Sequence, residues 1–256
     1  MFARQTLTGG LDERIVFVHV PKCAGTSVDG AIRRLYRSAW DPVEGGRFQL
    51  DPGAANEVGD VFGRTTWEVR RSIVAYHLAR PDSRYVTGHF QVDRALLDEF
   101  GDEYAFVTML RHPVDRWLSH YFHNVYSPSD NRFHIESDIE SFAETERARG
   151  IGQIYLSFFS GTGDMSPEER LDSEEVRRTA IENLERFDVV GILEEKNAFL
   201  DDFRRRFGVP LRMLRENTSS ATRDEKDVST EIRGRIREIC AADIELYEEA
   251  RRWSGR

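Results

Sequence analysis

The stretch of sequence that decides the fold is residues 15–27, Ile-Val-Phe-Val-His-Val-Pro-Lys-Cys-Ala-Gly-Thr-Ser. Its first six residues are mostly β-branched or aromatic, which is typical of a short strand buried on both faces. Pro21 ends this strand, because proline has no N–H to donate to a sheet. A loop of small residues follows Lys22, and apolar residues then recur at helical spacing as far as Leu35. The sequence therefore predicts a strand, a loop and a helix N-terminus, where backbone N–H groups and the helix dipole bind an anion such as a phosphate.

The composition is that of an ordinary globular protein. The chain has 256 residues, 39% hydrophobic and 32% charged, which is enough for one domain with a sizeable core. Its net charge of −9 argues against a nucleic-acid partner, which requires a basic face, but allows a local basic pocket. No apolar run approaches the ~18 residues of a membrane span, and the first ten residues lack the apolar core of a signal peptide. We therefore predict a cytoplasmic protein with no membrane span, and leave its oligomeric state open.

Strand and helix signals alternate along the rest of the chain. Further strands are predicted at residues 85–87, 105–110 and 189–193. One helix is predicted to follow the first loop to about residue 36, a second to end before Pro81, and a third to begin at Pro113. Further helical segments are predicted over residues 92–100, 137–149, 151–159, 173–186, 197–207 and 230–253. Residues 38–66 have no clear period and are predicted to be a loop that serves as a lid or insert. This alternation predicts an α/β fold, with a P-loop-like parallel sheet flanked by helices and helical additions in a single domain over residues 1–256.

Chemically distinctive residues stand at the ends of three predicted strands. Lys22 follows the first strand, Gly88-His89 follows the second, and Arg111 follows the third. In open parallel sheets, ligands bind at the carboxyl ends of the strands. The sequence therefore predicts that these residues share one site.

The first loop differs from a Walker A motif, in which the lysine follows the second glycine. Here Lys22 precedes Gly25, the only glycine of the loop. A kinase or nucleotide hydrolase also requires an acidic residue near the site to hold magnesium, whereas these strands end in Gly88-His89 and Arg111-His112. The residues favour an anion held without a metal ion. A P-loop kinase or hydrolase remains the alternative, and the loop alone also fits a plain turn with a solvated lysine.

A second segment adds a resemblance to a known family. Residues 111–121 read Arg-His-Pro-Val-Asp-Arg-Trp-Leu-Ser-His-Tyr, and with residues 21–27 they resemble the sulfotransferases that use 3′-phosphoadenosine 5′-phosphosulfate. The similarity is greatest to the carbohydrate branch that contains the heparan sulfate and uronyl 2-O-sulfotransferases, and it continues more loosely through residues 189–194 and 242–247. It implies a hydroxyl acceptor, above all a carbohydrate. It also implies that Arg111 and Ser119 hold the 3′-phosphate. The 5′-phosphosulfate is then held by Lys22, Cys23, Ala24, Gly25, Thr26 and Ser27.

The same resemblance and the chemistry of sulfuryl transfer indicate two catalytic residues. Gly88-His89 is similar to the Gly-His step that carries the proposed base of the 2-O-sulfotransferases, and a histidine has a suitable pKa to accept the proton of an attacking hydroxyl. Lys22 is expected to stabilise the negative charge that develops on the bridging oxygen of the leaving phosphate. His19 is interpreted as a core or supporting histidine. The histidines of the helix that Pro113 begins are interpreted as surface residues, although one of them could reach the acceptor: His112, His120 and His123.

Several features are left with open interpretations. One arginine-rich stretch is either a solvated helix face, which we favour, or a site for an anionic sugar: Arg64, Arg70, Arg71, Arg80 and Arg84. Residues 215–223 are expected to close over the nucleotide. Cys23 and Cys240 are too few for a disulfide framework and lack metal-ligand spacing, so no metal site is predicted. A non-catalytic nucleotide-binding protein on the same fold is the remaining alternative.

Overall fold

A parallel sheet of five strands lies at the centre of the part of the chain that the structure describes. The structure is a computed structural model that describes residues 11–36, 46–162, 173–213 and 227–253. The strands are β1 (Arg14–Val18), β2 (Arg47–Gln49), β3 (Tyr85–Gly88), β4 (Tyr104–Leu110) and β5 (Val189–Ile192). Their order in the sheet is β2-β3-β1-β4-β5, and every described pair is parallel. The predicted α/β class with a parallel sheet flanked by helices is confirmed.

Helices connect and flank these strands. They are α1 (Gly25–Leu35), α2 (Pro52–Phe62), α3 (Thr66–Leu78), α4 (Arg94–Phe100), α5 (Pro113–Val125), α6 (Ile139–Ala143), α7 (Glu146–Gly152), α8 (Ile154–Ser160), α9 (Glu174–Leu184), α10 (Lys196–Phe207), α11 (Thr230–Ile239) and α12 (Ala241–Trp253). A 3₁₀ turn over Leu193–Glu195 separates β5 from α10. Among the described helices, none is both long enough and apolar enough to cross a membrane.

The core forms because the central strands are apolar on both faces. All of β4 is buried, as are the four residues of β1 that follow Arg14. Helix α1 buries Val28, Ala31 and Ile32 in the same core. A second apolar cluster lies along α5, where Trp117 and Leu118 pack with residues of α6, α7 and α11. The burial of β1 thus fixes the start of the following loop, and the second cluster fixes α5 beside it.

The prediction of a loop over residues 38–66 is wrong for its described part. Residues 47–49 pair with β3 as the edge strand β2, and α2 follows directly. Asp51 caps α2 by accepting hydrogen bonds from the N–H groups of Gly53 and Ala54, and Pro52 occupies the first turn. The polar residues and proline that suggested a loop are therefore capping residues of a helix. Residues 38–45 lie outside the described residues, as does 215–223, the loop expected to close over the nucleotide.

The helical region between α5 and α9 is also divided differently from the prediction of two helices joined at Gly150. Asp138 and Thr145 each cap a new helix, so three short helices replace the two. Gly150 lies inside α7. Likewise α4 begins at Arg94 rather than at residue 92, because the Asp93 carboxylate accepts the Leu96 N–H at 2.8 Å. Side-chain caps thus set several helix boundaries that hydrophobic spacing alone misplaced.

Candidate active site

The carboxyl ends of the central strands lie side by side at one edge of the sheet. Val18, the last residue of β1, is in register with Gly88 of β3 and with Thr108 of β4. The chain therefore leaves β1 at His19, leaves β3 at His89 and leaves β4 at Arg111, all at the same edge. The structure brings these three predicted segments together.

The loop after β1 has an unusual backbone. Lys22 and Ala24 both adopt left-handed conformations, with φ of +68° and +55°. Such angles cost residues other than glycine about 1–3 kcal/mol each and cluster at functional sites. In the described residues no side chain caps the N-terminus of α1, which begins at Gly25. The Ser27 N–H donates to the Ala24 carbonyl at 3.1 Å, so the group that Ser27 can offer a ligand is its hydroxyl. The loop and the helix end thus form a compact turn suited to an anion.

Gly25 is required by a close neighbour rather than by its backbone angle. A Cβ added to Gly25 would lie 1.9 Å from Cδ2 and 2.0 Å from Nε2 of His19. The imidazole of His19 therefore packs directly against the first turn of α1. Burial lowers the pKa of His19 to about 3, with smaller contributions from His89 and Lys22, so this ring is neutral. These contacts agree with the interpretation of His19 as a supporting histidine.

His89 is held in one orientation by its neighbour. Its Nδ1 lies 2.5 Å from the carbonyl oxygen of His19, and the two imidazole rings are 4.5 Å apart. Because a carbonyl oxygen can only accept, Nδ1 carries the hydrogen and Nε2 carries the lone pair. Burial lowers the pKa of His89 below its ordinary value of 6.5, and the charges of Arg70 and Lys22 lower it further, against the hydrogen bond to His19. The geometry thus gives a neutral imidazole with a proton-accepting nitrogen beside the Lys22 charge.

The segment that follows β4 contacts the first loop through a tyrosine of α8. Tyr155 accepts a hydrogen bond from the Arg111 N–H at 2.9 Å and donates one to the Arg111 carbonyl at 2.5 Å. Its hydroxyl also lies 3.5 Å from Sγ of Cys23. Burial raises the pKa of the Cys23 thiol to about 11, so it is not a nucleophile at neutral pH. Ser119 lies in the second turn of α5 and is partly exposed, and its joint role with Arg111 stays a prediction.

The profile of the sulfotransferase family matches residues 11–248, which includes β1, the first loop, His89 and the segment from Arg111 to Ser119. The chain belongs to the sulfotransferase family. A search of the curated proteins finds no match. The matched range covers most of the chain and supports sulfuryl transfer as the general activity of the family.

Two residues of this sulfotransferase are placed differently from the sequence interpretation. His120 is not a plain surface residue, because its Nδ1 is buried and has no hydrogen-bond partner within the described residues. Burial lowers the pKa of His120 to about 3, and the charges of Arg116 and Lys22 lower it further. Arg70 is only 8% exposed, so the favoured interpretation of a solvated face is wrong for this residue. Because Arg70 lies within an arginine-rich stretch, the sequence alone indicated neither its burial nor its contact with the site.

Arg70 belongs to the surroundings of His89. Its Nη1 donates to the His89 carbonyl at 3.2 Å, and its guanidinium lies 4.9 Å from the ring centroid of Trp67. Its Nε is buried without a partner in the described structure. By contrast Arg71 pairs with Asp93 at 2.9 Å. The buried arginine thus places a positive charge next to the candidate base.

Sequence reasoning also missed a carboxylate at this edge of the sheet. Glu194 follows β5, where it accepts hydrogen bonds from the His112 N–H at 2.9 Å and from the Tyr247 hydroxyl at 3.1 Å. It therefore links the start of α5 to α12. Within the described ranges, no three or more His, Cys, Asp and Glu side chains form a group that could hold a metal ion.

Proposed function

We propose that this sulfotransferase moves a sulfuryl group from 3′-phosphoadenosine 5′-phosphosulfate to a hydroxyl of a carbohydrate or other small acceptor, by in-line displacement and without a metal ion. The observation that carries this proposal is the orientation of His89. Its hydrogen bond to His19 leaves the Nε2 lone pair available, and the positive charge of Lys22 lies close enough to lower its pKa. A base and a cation side by side are what the transfer of a sulfuryl group to a hydroxyl needs.

In the proposed reaction the acceptor oxygen attacks sulfur and gives its proton to Nε2 of His89. A new S–O bond forms as the bond between sulfur and the bridging oxygen of the 5′-phosphate breaks, and 3′-phosphoadenosine 5′-phosphate leaves with that electron pair. Lys22 would stabilise the charge on the bridging oxygen, together with the N-terminus of α1. The neutral state of His89, which burial favours, is the form that accepts a proton.

The other end of the nucleotide would be held by Arg111 and Ser119. Arginine suits a phosphate because its planar guanidinium donates paired, charge-assisted hydrogen bonds. The Arg111 charge is near the first loop, since it lowers the pKa of Cys23 against the larger effect of burial. A ligand with phosphates at both ends would therefore contact both segments.

The surroundings of His89 favour an anionic acceptor such as an acidic sugar. Arg70 donates to the His89 carbonyl and is largely buried. The pKa of Arg70 is lowered mainly by burial and also by the charge of Arg132, so a second guanidinium lies nearby. Two close positive charges are more stable when an anion lies between them. A carboxylate or sulfate on the acceptor would supply it while its hydroxyl faces His89.

A magnesium-dependent kinase is less well supported by the same edge of the sheet. The carboxylate at this edge is Glu194, which follows β5, and β4 separates β5 from β1, the strand that carries the Lys22 loop. Lys22 also lies in a turn before Gly25, whereas the lysine of a Walker A motif follows its glycines.

The test is a thermal-shift comparison of two ligands. We expect 3′-phosphoadenosine 5′-phosphate to raise Tm and ATP with magnesium to have little effect. Arg111→Ala should weaken the response to the bisphosphate, whereas Arg94→Ala removes an exposed arginine of α4 and should leave it unchanged. Stabilisation by ATP with magnesium alone would support the kinase. Stabilisation by the bisphosphate without transfer to any acceptor would support a non-catalytic nucleotide-binding protein.

A further inference from the structure

We propose that Tyr155 is a positioning residue that holds the Arg111 segment in place against the first loop, an inference that rests on the proposed nucleotide site. Arg111 follows the last residue of β4 and precedes α5, so its backbone lies between the sheet and the helix. Tyr155 holds this backbone, because its hydroxyl accepts a hydrogen bond from the Arg111 N–H and donates one to the Arg111 carbonyl. One side chain thereby sets the direction in which this residue leaves the sheet.

The same hydroxyl reaches the first loop. Sγ of Cys23 lies 3.5 Å from Oη of Tyr155, and both side chains are fully buried. Cys23 stands between Lys22 and Ala24, the two residues with left-handed backbones. Tyr155 therefore touches both segments that the nucleotide would bridge, one through a thiol and the other through the main chain.

Tyr155 is itself held rigidly, as a positioning residue must be. The buried carboxylate of Asp243 accepts hydrogen bonds from the N–H groups of Tyr155 at 3.0 Å and Leu156 at 3.1 Å. The guanidinium of Arg116 lies 5.4 Å from the ring centroid of Tyr155. Helices α12 and α5 thus hold the start of α8, so the Tyr155 hydroxyl has a fixed position beside Arg111.

The consequence is specific to one end of the ligand. Without the hydroxyl, the Arg111 backbone loses two hydrogen bonds and its guanidinium is no longer held toward the 3′-phosphate. The turn at Lys22 loses only a weak contact with the Cys23 thiol, which still donates to the Pro21 carbonyl, and the turn keeps its place at the end of β1. Loss of the hydroxyl should therefore weaken binding of the 3′-phosphate and leave the binding of the 5′ end almost unchanged.

The test is the affinity of Tyr155→Phe for two ligands, 3′-phosphoadenosine 5′-phosphate and adenosine 5′-phosphosulfate, which lacks the 3′-phosphate. We expect Kd for the first to rise about tenfold and Kd for the second to change less than about twofold. In an Arg111→Ala background, Tyr155→Phe should have no further effect on either ligand. The matched control is Tyr104→Phe, which removes a buried hydroxyl bonded to the carbonyls of Leu78 and Ser83 and should change neither Kd.

An equal loss for both ligands, or no loss for either, would overturn the inference while leaving the proposed function intact. If the wild-type protein does not bind the bisphosphate at all, the proposed function fails first. Should Tyr155→Phe not fold, hydrogen exchange of the Arg111 amide in the wild-type protein decides the question. Protection as strong as that of the β4 amides supports the inference, and exchange at the rate of an open loop contradicts it.

Discussion

Gly25→Ala should damage the candidate site through a single steric overlap. The new Cβ would lie 1.9 Å from Cδ2 of His19, so the imidazole must move by about 1.5 Å before ordinary contact is restored. The ring of His89 stands 4.5 Å away on one side and that of Phe17 stands 5.7 Å away. His19 therefore cannot move far without displacing the candidate base.

The expected cost follows from overpacking at a well-filled position. Such insertions typically destabilise by about 1–3 kcal/mol, and for a chain of this size each kcal/mol lowers Tm by about 2–4 °C. The loss of stability leaves most of the protein folded, but kcat should still fall roughly a hundredfold. A displacement of about 1 Å at a reacting group can lower the rate by that factor.

The assay combines denaturant unfolding with the rate of sulfuryl transfer. Gly150→Ala is the matched control, since a Cβ added there, inside α7, meets nothing within 4 Å and should be neutral or stabilising by up to about 1 kcal/mol. In a His19→Ala background the overlap is gone, so Gly25→Ala should cost almost nothing in stability. A Gly25→Ala variant as stable and active as the wild type would contradict the steric overlap, and so would a cost in stability that stays the same without the His19 ring.

Three further predictions concern the groups around the site. Burial lowers the pKa of His89 below 6.5, so kcat should be level from pH 7 to 8 and should fall only as the pH drops through that lowered pKa. A kcat that already falls at a pH above 6.5 would contradict the assignment of His89 as the base. Asp243→Asn should cost about 1–3 kcal/mol in denaturant unfolding, because the two Asp243 oxygens accept the buried N–H groups of Tyr155 and Leu156 and an amide side chain cannot accept both, whereas Asp98→Asn, at an exposed ion pair, should cost little. Arg70→Gln should raise KM for an anionic acceptor roughly tenfold and leave KM for the sulfuryl donor unchanged. Equal changes in the two KM values would show that Arg70 does not bind the acceptor.

The parts of the fold that local sequence determines were predictable. Three signals lie within a few residues of one another: the run of β-branched residues in β1, the proline that ends it and the apolar spacing of α1. Because ligands bind at the carboxyl ends of parallel strands, each strand end could then be assigned to one edge of the sheet. Lys22, His89 and Arg111 could be placed at one edge of the sheet in this way. The strand β2 was missed because an edge strand of three residues, Arg47–Gln49, has too short a pattern to read.

The supporting contacts were not predictable, because they join residues that are far apart in the chain. Tyr155 looks like one more aromatic residue of an apolar helix, and only the fold brings its hydroxyl to Cys23, 132 residues earlier. Arg70 resembles the solvated arginines around it until the carbonyl of His89 is seen to be its partner. Sequence patterns located the groups proposed for catalysis, whereas the contacts that orient them depend on tertiary structure.

The measurement that tests the central claim most directly is single-turnover transfer from 3′-phosphoadenosine 5′-[³⁵S]phosphosulfate to acidic and neutral carbohydrate acceptors. The wild-type protein should release one 3′-phosphoadenosine 5′-phosphate for each sulfated acceptor. His89→Ala should bind that product with unchanged affinity yet transfer at least about a hundredfold more slowly. An unchanged transfer rate in His89→Ala would rule out the proposed base, and the absence of any transfer by a wild-type protein that binds the nucleotide would contradict the proposed function.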